Sequence, residues 1–329
     1  MTDTRTYGGY FPLELPVQGK HYYPDARKYR SARSALFHLL ATLRPARLWL
    51  PQLICQSVID AVQAAGVDIV WYGLDEHYVP QMPSALAAGD YFLYVNYLGQ
   101  CEEVQQRLLA TLPAERLIFD HSQAFFARPQ PVLATIFSPR KFFGVADGGL
   151  LHTAVEMPEP ETQDRDSVNR TAHLLLQHEF DTRSGYAAFS QAEASLDDIS
   201  ASRMSGLTET ILRSVDYATV KRIRERNYQL LHQRLGDLNG FRFADRAVNG
   251  PFCYPFFFPA QNLHKPLIAQ GIFVATYWQD ALARVAPRSI EADFVNHLIP
   301  LPCDQRYSEE DMDKVGDIVR AVACGSENE

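Results

Sequence analysis

Between about Ser31 and Thr153 the chain alternates short β-rich runs with helical stretches, and this rhythm constrains its fold more than any other feature. RSALFHLLATL has the spacing of an amphipathic helix, ARLWLP of a strand, ICQSVIDAVQAAG of a helix stopped by Gly66, and VDIVWYGLD of the next strand. DYFLYVNYLG, EEVQQRLLATLP, RLIFD and VLATIFS continue the series as strand, helix, strand and strand. Such alternation predicts an α/β fold, a mainly parallel sheet flanked by helices. Right-handed crossovers bring the strand C-termini to one edge, where ligands collect, and Asp120 and Ser138 fall at that edge.

After Thr153 the texture changes. VEMPEPETQDRD reads as a solvated loop, and mostly helical sequence follows from Ser167, with a long helix expected over Thr208 to Leu238. FRFADR, FCYPFFFP, IFVATYW and HLIPL are strand candidates, and a last helix from Ser308 to about Ala323 opens on the capping-box pattern SEED. The expected division is a large domain over 1–215, with an N-terminal arm, and a smaller C-terminal α+β domain over 216–329.

Composition excludes several function classes. With 31 Lys+Arg against 39 Asp+Glu, the net charge of −8 argues against a nucleic-acid surface. No apolar run approaches the roughly 18 to 20 residues of a membrane span, and the first residues lack the blocks of a secretory signal, so a cytoplasmic protein with no membrane partner is expected. The five cysteines never form CxxC, and His173 and His178 are not spaced to share a helical face, so neither a disulfide framework nor a metal site is indicated.

The chemistry gathers in FSPRKFFGVADGG, Phe137 to Gly149. Lys141 follows its strand closely and is flanked by Phe142 and Phe143, a setting expected to desolvate the ammonium and lower its pKa, making the amine a nucleophile toward an aldehyde. Asp120 ends a strand, where a carboxylate can keep a ring nitrogen protonated. Pyridoxal phosphate needs both groups and a phosphate cradle besides. The helix start Ser31-Ala32-Arg33-Ser34 offers free N–H groups, a favourable dipole, two hydroxyls and a guanidinium, and Ser138 adds a hydroxyl. Taken singly, such a lysine is an ordinary surface residue and such an aspartate an ordinary turn former; their placement on successive elements of one sheet favours the shared site. Asn96 and Tyr97 lie at the same rim by position. Tyr7, Tyr10, Tyr22 and Tyr23 read as packing more readily than as a substrate entrance.

Over most of its length the chain resembles the DegT/DnrJ/EryC1/StrS group of fold-type I pyridoxal-phosphate enzymes, which act mainly as aminotransferases on nucleotide-linked keto sugars. SARSALFHLL stands at the group's phosphate-binding helix start, DHSQA at its D-x-x-Q/H-A motif, and the Lys141 segment at its Schiff-base lysine with a glycine-rich turn. SRMSGLTETILRSVDYATVKRIRERNYQLLHQRL resembles its N-x-R-M segment and following helix, and IPLPCDQRYSEEDMDKV its C-terminal strand and helix. The resemblance implies that Lys141 holds the cofactor covalently, Asp120 pairs with the ring nitrogen, Gln123 approaches the ring's phenolic oxygen, and two copies of the chain build each site of a homodimer. The implied substrates are a nucleotide-linked sugar and an amino donor such as glutamate.

Departures mark what is particular to this chain. Ala201 replaces the asparagine of N-x-R-M while Arg203 is kept, Ala32 and Arg33 replace the helix-start glycine and threonine, and Cys55 stands where an aromatic often covers the cofactor ring. Phosphate binding is then expected to lean on Arg33 and Ser138. Relatives that dehydrate sugars replace the lysine with histidine, which Lys141 argues against; a binding or regulatory protein on the same fold is the other alternative.

Overall fold

A computed structural model describes residues 7–16, 19–82, 85–241 and 247–325. Strand β1 (Arg27–Tyr29) leads into helix α1 (Ala32–Leu43), followed by β2 (Arg47–Pro51), α2 (Gln56–Ala64), β3 (Asp68–Leu74), the short β4 (Pro80–Gln81), β5 (Asp90–Val95), α3 (Glu102–Thr111), β6 (Leu117–Asp120), β7 (Ala134–Phe137) and β8 (Gly149–Thr153). The chain continues through β9 (Thr162–Gln163), α4 (Ser167–Arg170), α5 (Ala172–Glu179), α6 (Thr182–Ala194), β10 (Ser202–Arg203), α7 (Gly206–Arg213) and α8 (Tyr217–Leu235). It ends with β11 (Tyr254–Phe257), α9 (His264–Ala269), α10 (Ile290–His297), β12 (Leu298–Leu301) and α11 (Glu309–Ala323).

Among the described residues the main sheet has ten strands in the order β4-β3-β2-β5-β6-β7-β8-β1-β10-β9. The run from β3 to β7 is parallel, and β8 joins it antiparallel, between β7 and β1. Strands β6 and β7 are buried along their whole length, which is why they read as continuous apolar runs. Val95 stands opposite Asp120 and Asp120 opposite Ile136, so the ends of β5, β6 and β7 share one edge.

Helix α1 starts at that edge. Its N-cap, Ser31, is extended, and its Oγ accepts the Ser34 N–H at 3.1 Å, satisfying one of the helix's orphan donors. Ala35, Leu36, Leu39 and Leu40 turn one face into the main core beneath the sheet. Strand β8 passes so close that a Cβ on Gly149 would lie 2.1 Å from the Ser31 carbonyl carbon and 2.3 Å from the Ala32 nitrogen. Only glycine permits this approach.

A second core of Tyr228, Leu231, Tyr254, Phe256, Met312 and Val319 joins α8, α11 and the separate antiparallel β11–β12 pair. The expected capping box is present, with Ser308 and Asp311 bonding reciprocally. The expected long helix is two helices. Asp216 caps α8 by accepting the Thr219 N–H at 3.1 Å, breaking the backbone where the apolar periodicity carries on uninterrupted. IFVATYW is not a strand; Ile272 and Val274 are buried in the second core without joining a ladder. FRFADR falls largely on residues 242–246, outside the described residues. Among the described residues no helix is long and apolar enough to cross a membrane.

Candidate active site

A cavity of about 450 Å³ opens where the β6 and β7 ends face the start of α1. Asp120, Ser138 and Lys141 line it from the sheet side, and Ser31, Ala32 and Arg33 from the helix side. Asp120 is buried, and its Oδ1 accepts the Ser122 N–H at 2.8 Å, which holds the carboxylate at the mouth of its strand. Lys141 closes a single 3₁₀ turn, its N–H donating to the Ser138 carbonyl at 3.2 Å.

The lysine is exposed, contrary to the expectation that its aromatic neighbours desolvate it. Phe142 and Phe143 both turn inward to a third core with Phe125, Phe126 and Phe137, leaving Lys141 on the outer side of the turn. Tyr23 belongs to the same core and donates its hydroxyl to the Phe125 and Ala127 carbonyls at 2.6 and 2.7 Å; Tyr22 packs beside it. Tyr7 and Tyr10 are exposed.

After the lysine, Asp147 anchors the segment. It is fully buried and accepts the Ser205 N–H at 2.7 Å, the Ser205 hydroxyl at 2.6 Å and the Thr208 hydroxyl. Burial raises its pKa, while the bonds from Ser205 and Thr208 pull the other way. Gly148, at φ 135°, then turns the chain into β8.

The helix-start residues do not all face the cavity. Ser34 is buried on the other side, bonding the Ser200 carbonyl and accepting the Ser202 N–H at 3.1 Å, so it fastens the strand before α7 rather than lining the site. Gln123 is not among the lining residues either; its Oε1 accepts the Leu98 N–H at 3.0 Å, and Ser122 lines the cavity from the same turn. Cys55 does line it, with Sγ 3.0 Å from the Ser57 hydroxyl. Asn96 and Tyr97 are spent on structure: Asn96 accepts the Cys101 N–H at 2.9 Å, and the Tyr97 hydroxyl donates to the Leu53 carbonyl at 2.9 Å. His121 is also structural. Its Nε2 meets Gln105, and burial takes the imidazole down to about 3, leaving it neutral. Where the N-x-R-M asparagine would stand, the Ala201 carbonyl accepts the Thr162 hydroxyl at 3.3 Å, and Arg203 is exposed on β10.

Three charged lining residues, Arg140, Glu193 and Asp197, carried no sequence signal. Arg140 pairs with Glu193, and Arg33 donates to the Asp197 Oδ1 at 2.9 Å and to the Leu196 carbonyl at 3.0 Å. Arg140 meets Glu193, and Arg33 meets Asp197, only through the fold, across separations of 53 and 164 residues. Both arginines keep a buried Nε–H with no hydrogen-bond partner. Together with the first amides of α1 and the Ser31 and Ser138 hydroxyls, these donors suit a phosphate. The residues present therefore fit pyridoxal phosphate: anion donors at one end, a buried carboxylate at the other, and a primary amine between elements that hold both.

No protein-family model matches the sequence, and no curated protein does. Solved structures do. The DesI structure determined in the presence of its TDP-sugar product matches with a TM-score of 0.62 at 18% identity, covering 91% of this chain and 81% of DesI. A DegT DnrJ EryC1 StrS aminotransferase from Brucella abortus matches with a TM-score of 0.62 at 17% identity over 90% of this chain and 85% of that one. The PLP-form of the putative sugar aminotransferase Spr1654 from Streptococcus pneumoniae matches with a TM-score of 0.62 at 13% identity over 93% and 88%. The parallel sheet with antiparallel β8 and the separate C-terminal strand pair are thus the parts of one known architecture, and the chain has the fold of these solved aminotransferase structures.

Proposed function

We propose that this protein is a pyridoxal-phosphate-dependent aminotransferase that moves an amino group from an amino acid such as glutamate onto a nucleotide-linked keto sugar. The observation that carries the reading is the convergence of Asp120, Lys141 and the Ser31–Arg33 helix start on one cavity. When bound, the cofactor supplies an electron sink for the bond broken at the donor's α-carbon.

The chain's own residues do the rest. Ser31, Ser138, Arg33 and the α1 amides would hold the phosphate, and Asp120 the proton on the ring nitrogen. Lys141, exposed to the cavity at the end of a braced turn, would form the covalent link through Nζ and, once displaced by the donor, carry a proton between two carbon atoms of the reacting pair. Cys55 would lie beside the ring in place of an aromatic. Neither Ser34 nor Gln123 has a part in this reading, since both are bonded elsewhere.

The same proposal includes a homodimer in the cytoplasm and the division into domains 1–215 and 216–329. Leu175, Phe180 and Tyr186, exposed on and between α5 and α6, support a second copy covering that face. The core formed by α8, α11 and the β11–β12 pair supports the division. The TDP-sugar product of DesI supports the nucleotide-linked substrate class.

Borohydride reduction of the purified protein with pyridoxal phosphate, followed by peptide mass spectrometry, tests the site. A pyridoxyl adduct on Lys141, and a colour change of the unreduced protein on adding glutamate, are expected. Colourless protein that ignores the cofactor, or an adduct fixed at another residue, overturns the reading. TDP-linked keto sugars are the first acceptors to assay.

A further inference from the structure

Arg224, on α8, has one of the largest fully buried side chains among the described residues, at 2% exposure. Its Nε donates to the Gln305 Oε1 at 2.8 Å, its Nη1 to the Pro251 carbonyl at 3.0 Å, and its Nη2 to the Phe142 carbonyl at 3.0 Å. The guanidinium carbon lies 4.7 Å from the centroid of the Phe142 ring. These partners are all neutral. Burying a cation on neutral acceptors is costly, and an apolar side chain of similar volume would tie a helix down at less expense.

What the cation holds is the residue after Lys141. Gln305, from the loop following β12, donates its Nε2 to the same Phe142 carbonyl at 2.8 Å. The Phe142 N–H donates to the Pro139 carbonyl at 2.9 Å, and its ring is packed against Phe125 and Phe252. Phe142 is thus fixed at its amide, its ring and its carbonyl, and the last of these by two donors from the C-terminal part of the chain. With the Lys141 N–H also bonded, the backbone is held at the lysine and at the residue after it.

We infer that Arg224 and Gln305 are positioning residues for Lys141: by clamping the Phe142 carbonyl they set the direction from which the lysine amine enters the cavity. The inference rests on Lys141 being the reactive amine of the proposed function. It also gives the buried cation a task that a packing residue could not perform.

The test compares the parent protein with Gln305→Met and Arg224→Met. Each is incubated with limiting pyridoxal phosphate, reduced with borohydride, and the label on Lys141 is measured relative to the exposed Lys265 and Lys314 of the same molecules. A thermal melt is recorded alongside. We expect Gln305→Met, which removes one of the two donors, to stay folded and lose selectivity for Lys141 by about five-fold, and Arg224→Met to lose more. Unchanged selectivity in a variant whose melting temperature has fallen would overturn the inference, because the clamp would then serve stability alone. Should Arg224→Met fail to fold, Gln305→Met decides. If the parent shows no selectivity for Lys141, the aminotransferase reading fails on its own account. The clamp is then judged by trace acetylation with acetic anhydride and no cofactor: an altered ratio of Lys141 to Lys265 supports it, and an unaltered ratio sinks it.

Discussion

At the sheet edge of the cavity, Asp120 and Ser138 stand at the ends of buried parallel strands, and Asp120 is braced by the backbone two residues on. Arg33 at the helix start and Arg140 on the turn after β7 are instead braced by Asp197 and Glu193, carboxylates whose side chains are 70% and 44% exposed. One end is set by strand register, the other by ion pairs with a distant helix and the loop after it. The difference teaches what each end can tolerate. Register does not drift when a surface side chain changes, because β6 and β7 are each paired on both sides and buried along their whole length. A solvated ion pair contributes at most about 1 kcal/mol, so its geometry can be retuned without touching the fold.

The largest effect should come from breaking the sheet-edge end chemically. Asp120→Asn keeps the size of the side chain and its acceptor oxygen for the Ser122 N–H, but removes the charge that would hold a proton on the cofactor ring. Transamination is expected to fall about a thousand-fold, within the range of proton-transfer catalysis, while borohydride still fixes the label on Lys141. Label retained with near-parental turnover would mean that Asp120 is only a turn residue.

Next is a substitution that breaks the contact between the two ends. A Cβ at Gly149 would meet the Ser31 and Ala32 backbone, not a side chain that can swing away. Gly149→Ala should therefore force β8 and the start of α1 apart. A loss of about 3 kcal/mol in denaturant unfolding, or no folded protein, is expected. A variant of parental stability would show that the two ends are not locked together here.

The same contrast explains how much was legible in the sequence. The strands were readable because a strand buried on both faces is a continuous apolar run, and once β6 and β7 are placed, Asp120, Ser138 and Lys141 follow by counting. The α1 start was readable because Ser31 is a capping residue before an amphipathic helix. Counting did not reveal where Ser34 points: its hydroxyl is captured by Ser200 and Ser202, brought in from far along the chain. The direction of Gln123 is hidden from the sequence for a related reason, since the turn after Asp120 gives its side chain to the Leu98 amide. Phe142 and Phe143 gave the right composition for a desolvated lysine, but composition does not say which side of the turn an aromatic takes. Glu193 and Asp197 carried no local signal at all, because nothing near them in sequence needs them.

Those two carboxylates allow the finest test. Glu193→Gln with Asp197→Asn removes both anions from the helix-start end, leaving the amides of α1 and the guanidinium groups of Arg33 and Arg140 in place. If the carboxylates compete with a bound anion, affinity for inorganic phosphate, read by calorimetry at low salt, should rise about three-fold, matching the worth of solvated ion pairs. The gain should shrink as salt screens the exposed partners. A fall in affinity would carry the opposite lesson. Glu193 and Asp197 would then be holding the arginines in their binding geometry, and the ordering they provide would outweigh their charge. In that event the helix-start end would be as firmly constructed as the sheet edge, by side chains in place of strand register.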